Sequence, residues 1–176
     1  LLKDDSYISY RQAAEQFARV VEAKKAISPF PDDGKKAAAE QARFLGYLTI
    51  VEDMPAFLPQ LQAALALAPG GDEVSVAVAA AAAAYADGKF DAGFDGLKPF
   101  ADPARSLPPG RLTEVLTWQA LGLRGKGDFD GAMKKLDEAL QSDLKSVLAL
   151  SLQASLLAAS GALEAALEFV DKVFAV

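Results

Sequence analysis

The 176-residue chain has no cysteine and no histidine, two methionines, and a single tryptophan, Trp118. Without cysteine it can form no disulfide, zinc thiolate site or thiol nucleophile. That suits a reducing compartment, but equally an exported protein spared mispairing, so cysteine usage leaves localisation open. Without histidine there is no imidazole to act as base, complete a serine triad or ligate zinc. The glycine-rich strings that cradle phosphates in P-loop and dinucleotide-binding proteins are missing too. Asp128 and Asp130 lie close together, but at a helix start, where capping and the helix dipole account for them. Asp91 and Asp95, one helical turn apart, read as solvated surface. The expectation is a non-enzymatic chain without cofactor or metal.

Positive charge is also in short supply. Eighteen Lys and Arg face 24 Asp and Glu, for a net charge of −6 and a pI near 4.7. Nucleic-acid surfaces and docking on anionic lipid both need a basic stripe, so neither partner is expected. No basic n-region or apolar h-region opens the chain, so no signal peptide is expected. The start at Leu1 and the stop straight after a helix read as a mature form or an excised fragment. One uncharged run, Ser146 to Leu163, approaches the length of the shortest membrane spans. It contains Ser151, Gln153, Ser155, Ser160 and Gly161 and is read as a buried helix and turn, with no direct membrane insertion.

What the chain does have is alanine and leucine within a 52% hydrophobic composition, which points to an all-α protein. The clearest order lies between Leu112 and Val176. Gly127 recurs as Gly161, Ala132 as Ala166, Leu136 as Val170 and Ala139 as Val173, always 34 residues apart. A fixed period of this size marks stacked supersecondary units.

Read along the chain, the periodicity predicts about nine helices. A lone helix spans 5–26, with Tyr10, Ala13, Phe17, Val20 and Val21 on one face, and the Pro- and Gly-containing stretch Ala26–Gly34 stops it. A first pair covers 35–69, with Asp53 expected as N-cap of its second helix, Pro55 in the first turn and Pro59 delaying the start. Its second helix points Phe57, Leu61, Ala64 and Leu65 inward. A second pair covers 73–100; Gly93 and Gly96 should weaken its second helix by about 1 kcal/mol each, making this pair the softest part. The regular pairs follow at 111–142 and 145–175. Together they form a single solenoid over residues 1–176.

These residues resemble the tetratricopeptide-repeat (TPR) family, whose unit is a 34-residue helix–turn–helix. The third pair carries the motif as Ala120, Gly127-Asp128-Phe129, Ala132, Leu136 and Ala139, and the fourth as Ala154, Gly161, Ala166, Val170 and Val173, with Leu163 replacing the aromatic. The second has Ala81, Gly88-Lys89-Phe90, Leu97 and Phe100. The first is degenerate, with Leu45 at the small position and Glu52-Asp53-Met54 at the turn. The resemblance implies a right-handed superhelical solenoid that binds a peptide or partner helix in a concave groove lined by the first helices. Carried over by position, that inward face comprises Ala42, Gly46, Ser75, Val78, Ala82, Tyr85, Glu114, Thr117, Leu121, Arg124, Leu148, Ser151, Ser155 and Ala158. Val78, Tyr85, Thr117, Leu121, Arg124, Ser151 and Ser155 are the candidate contact residues, with Tyr85 and Arg124 foremost. Only Arg124 is basic, so the resemblance does not extend to members that clamp acidic peptide termini.

The expected function is a scaffold for a protein or peptide partner. The alternative is an architectural segment of a longer solenoid, or a fixed subunit of a large assembly. It is motivated by the half-repeat at the start and by an ending at Phe174-Ala175-Val176 that brings no polar capping helix over the last face.

Overall fold

Alanine determines how closely the helices of this protein approach one another. The computed structural model describes residues 7–175, which form helices joined by turns with no strand among them. The expected helix start at residue 5 lies outside the described residues. The chain divides into two compact units, one ending at Gly96 and the other beginning at Leu97. The division falls within the residues expected as the second pair, 73–100.

In the first unit, α1 (Tyr7–Lys24), α2 (Asp32–Gly46), α3 (Leu58–Leu67), α4 (Glu73–Ala86) and α5 (Phe90–Leu97) follow in order. The central element is α2, packed by α1, α3 and α4. Its Ala37, Ala38, Ala39 and Ala42 are buried on successive faces, which only a side chain this small allows without pushing three neighbours apart. Tyr10 of α1 stacks on Tyr47 at 4.8 Å, and Phe17 on Phe44 at 6.1 Å. The buried stripe of α1 is Tyr10, Ala14 and Val21, with Phe17 half-buried. This differs from the expected face at two positions: Ala14 replaces Ala13, and Val20 is exposed. Steps of four, three and four keep to the 3.6 period better than the expected set.

The degenerate turn of the first pair has its own geometry. A π-helical turn over Tyr47–Val51 ends α2, and Asp53 adopts left-handed backbone with φ of 51°. Asp53 is thus the residue that reverses the chain, not the expected N-cap; aspartate tolerates this conformation better than most residues. A 3₁₀ turn at Pro55–Phe57 precedes α3, so the α-helix begins at Leu58, as the prolines imply. Leu61 and Ala64 of α3 are buried, whereas Phe57 and Leu65 are half-buried.

The second unit contains α6 (Pro109–Gly125), α7 (Phe129–Ser142), α8 (Val147–Ala159) and α9 (Leu163–Ala175). Its two hairpin turns are alike. Gly127 and Gly161 have φ of 80° and 85°. The amide after each glycine donates five residues back, Asp128 N to Leu123 O and Ala162 N to Leu157 O, both at 2.9 Å. These are Schellman closures, which need a residue free to take positive φ. Asp128 then caps α7 by accepting from Gly131 N at 2.9 Å, as the capping reading of this carboxylate anticipates. Buried Ala120, Ala132, Leu136 and Ala139 fill the seam between α6 and α7, and the Thr113 hydroxyl donates to Ala139 O at 3.2 Å.

The reading of the second pair as glycine-weakened needs correcting at one position. The Tyr85 ring lies against Gly93, and a Cβ there would come within 2.8 Å of Tyr85 Cδ1. Gly93 therefore makes room for a buried aromatic, whereas nothing lies near Gly96. Gly93→Ala is expected to destabilise the chain by about 1–3 kcal/mol through overpacking. Gly96→Ala should be neutral or stabilising by up to about 1 kcal/mol. Urea denaturation midpoints of the two variants measure the contrast.

Candidate functional site

Four of the seven candidate contact residues are buried. Val78 and Tyr85 on α4 are buried, as are Thr117 and Leu121 on α6. The Thr117 hydroxyl is used within its own helix, donating to Thr113 O at 2.8 Å. Ala42, Gly46, Ser75 and Ala82 of the wider inward face are buried too. Ser75 lies between two carboxylates, its hydroxyl 2.6 Å from Asp72 Oδ2 and in hydrogen-bond contact with Glu40. Glu40 in turn accepts from Arg43 Nη2 at 2.7 Å. These groups fasten α4 to α2 and are not presented to a partner. Arg124 is half-exposed, and Ser151 and Ser155 are exposed. The physical reason is that α4 and α6 are apolar around most of their circumference, so the positions assigned to an open groove are packed core.

Ser151 and Ser155 do come together, on the free side of the last hairpin. With Ala154 and Ala158 they form the floor of an open hollow of about 590 Å³ between α8 and α9. Leu163, Ala166, Leu167, Val170, Val173 and Phe174 of α9 line the rest. Leu163 and Leu167 are each 63% exposed and Phe174 69%, so three large apolar side chains stand in solvent around a floor of small ones. No charged side chain lines the hollow. The sequence signal was the apolar stripe 163, 166, 167, 170, 173, 174 along α9. Four of these, Leu163, Ala166, Val170 and Val173, are motif positions in the resemblance, and none of the six is among the candidate contact residues.

A second hollow, about 560 Å³, lies on the other flank of α8 among Asp137, Leu140, Leu144, Leu150, Gln153 and Lys172. Gln153 Nε2 donates to Asp137 Oδ1 at 2.7 Å, whereas its Oε1 is sealed from solvent without a hydrogen bond. Lys172 lies over the Phe169 ring at 4.1 Å. The Gln153–Asp137 hydrogen bond joins α7 to α8. Among the described residues no group of three or more acidic side chains is placed to hold a metal ion, and no helix is long and apolar enough to cross a membrane.

These features define a class: an all-α protein of stacked helix hairpins with a TPR-like fold. No family model matches the sequence, and no curated protein matches it. Among solved structures, MamA 41-end from Desulfovibrio magneticus RS-1, a TPR-like helical protein, shares the fold with a TM-score of 0.51. It is 13% identical, over 92% of this chain and 93% of that one. The MamA RS-1 ArsTM double mutant matches with the same TM-score and coverage at 12% identity. At these identities the likeness establishes the fold.

The burial of Tyr85 has a consequence in pH. Loss of water around its phenol raises the pKa above the usual value of 10, so the neutral form is favoured in the folded chain. Stability from this group is complete below about pH 10 and is lost as pH rises through the higher folded value. Tyr85→Phe should therefore lose less stability than the parent chain between about pH 9 and 11. Equal losses in paired urea titrations would show that the phenol is reached by water.

Proposed function

We propose that the chain is a non-enzymatic helical-repeat scaffold that holds a partner protein in the α8–α9 hollow. One observation carries this reading: an uncharged apolar trough floored by Ser151 and Ser155 and rimmed by exposed Leu163, Leu167 and Phe174. Exposed apolar surface of this continuity is a mark of an interaction site. The floor suits close approach, since serine and alanine add little bulk, and burying one large side chain there would gain about 1.5–3 kcal/mol. The groove of first helices expected from the resemblance is thereby narrowed to the one first helix, α8, whose inward residues are open.

The alternative, a fixed subunit of a larger assembly, draws support from the same exposed leucines, because a lasting interface keeps them from water. The two readings differ in lifetime, not in place.

A photo-crosslinking amino acid at Ser155, in cells expressing the full chain, tests the reading. Adducts to a discrete protein are expected from position 155 and not from exposed Lys134 on α7. Adducts that still form when irradiation follows a chase with excess probe-free chain favour the fixed subunit. Equal labelling at both positions, or none at 155, would overturn the proposal.

A further inference from the structure

We infer that the α8–α9 hollow takes a helix from a partner protein, presenting an uncharged leucine- and alanine-rich stripe with lysine or arginine along one flank. This rests on the scaffold reading above and specifies the partner's chemistry. The interface already formed between the two hairpins shows how such a face is covered. Moving back 34 residues from Ser151, Ala154, Ala166, Val170 and Val173 gives Thr117, Ala120, Ala132, Leu136 and Ala139. All five of the earlier residues are buried, and α8 packs on both helices that carry them. The helix on that face buries Ala149, Leu152 and Leu156, a stripe at steps of three and four with no charge. One repeat later Ala154 and Ala166 are again buried within their own hairpin, but Ser151 is exposed and Val170 and Val173 are only half-buried, at the α8–α9 hollow.

A helix also fits better than an extended strand. A strand laid in this trough would bring unpaired backbone N–H and C=O groups against an apolar lining, and only the Ser151 and Ser155 hydroxyls could meet them. A helix satisfies its backbone internally and buries side chains alone. The floor differs from its counterpart in one respect that sets size. Leu121 and Arg124 of the earlier hairpin correspond to Ser155 and Ala158, so the occupant must bring a larger apolar residue to that end of the trough.

Charge selects the flank and disfavours self-pairing. Glu164, Glu168 and Asp171 form an exposed stripe of α9 beside the edge marked by Leu167. A second copy packed face to face would set this acidic stripe near its own image on a chain of net charge −6, which is unfavourable. A partner with a basic flank meets it with opposite sign.

Four helix-length fluorescent peptides titrated against the full chain test this. The first is stapled as a helix, with an alanine–leucine stripe copied from Ala149, Leu152 and Leu156 and lysines on one flank. The second replaces those lysines by glutamate, the third scrambles the stripe, and the fourth has the first one's composition with prolines that prevent a helix. The first should bind at least about tenfold more tightly than each of the others, and more weakly as salt is raised. Ala158→Glu should weaken it by about tenfold or more with helicity unchanged; Ser155→Glu, at an exposed position, serves if the first variant folds poorly. Equal or tighter binding of the glutamate or proline peptide would overturn the inference. So would a concentration-dependent dimer of the chain abolished by Leu167→Glu, which would name a second copy as the occupant. Should no peptide bind while crosslinks from position 155 persist, the helix assignment fails and the scaffold reading stands; should both fail, the trough is no docking site.

Discussion

Close approach of helices through alanine is the constraint on which the rest of this structure depends. Ala38 and Ala42 in α2, Ala79 and Ala82 in α4, Ala120 against Ala132, and Ala154 beside Ala166 all lie within the packed layers. A buried methyl contributes only about 0.8 kcal/mol from its own burial. Its larger effect is to let backbones come near enough for many weak dispersion contacts to accumulate. The bulk of the apolar burial then comes from a few large side chains set between the small ones, among them Leu45, Leu48, Leu61, Trp118, Leu136 and Leu150. In such a packing the sensitive positions are the small ones, where an added carbon separates two helices. Gly93 under the Tyr85 ring is the extreme case.

Polar groups within this packing hold register more than they hold the chain together. The Glu40–Arg43 pair is largely buried, its side chains 18% and 16% exposed, and Ser75 connects Glu40 to the N-cap carboxylate Asp72. Arg43 and Glu40 pair within α2 and Asp72 caps α4 through Ser75 N, so the Ser75 hydroxyl, shared between Glu40 and Asp72, is the contact that depends on the setting of α4 against α2. Sliding by a residue would remove that hydroxyl from Glu40, the cost of one hydrogen bond to a buried charge. In the second unit Thr113 plays the corresponding part with a single neutral bond from α6 to α7.

The sequence made the helices, the turns and the 34-residue repeat legible because each has a local cause. Gly127 and Gly161 mark reversals that few other residues can make, and Asp128 announces a helix start. Packing faces were less legible wherever two apolar residues adjoin. In α1 the adjoining pairs Ala13–Ala14 and Val20–Val21 each offer one apolar residue too many, and the buried members, Ala14 and Val21, are those that keep steps of four, three and four with Tyr10 and Phe17. The first-pair turn was misread because a π turn and a left-handed Asp53 replace the glycine closure. Of the candidate site, Ser151 and Ser155 were placed on an open surface, while Val78, Tyr85, Thr117 and Leu121 were not. The resemblance supplies which residues share a face, but whether a neighbour already covers that face is a tertiary fact. The α9 half of the trough lies in the sequence as an apolar stripe, but an amphipathic helix normally buries such a stripe in its own protein, so the pattern alone does not mark a site.

That last point leads from packing to interaction. In this chain α8 bears two opposite stripes with the same spacing: Ala149, Leu152, Gln153 and Leu156 on one side, Ser151, Ala154, Ser155 and Ala158 on the other. The first is buried against the preceding hairpin; of the second, Ala154 is buried in its own hairpin while Ser151, Ser155 and Ala158 are exposed beside Leu163, Leu167 and Phe174. A helix built to be covered on both sides is what stacking of repeats requires, since each hairpin buries one face on its predecessor and offers the other to its successor. The offered face here has lost bulk at Ser155 and Ala158 relative to Leu121 and Arg124, and its neighbour α9 has an acidic outer edge. A purely structural successor would need neither change. Smaller floor residues and a charged rim alter which helix fits and from which side it approaches, and choosing among helices by shape and charge is how a stacking surface becomes a selective one.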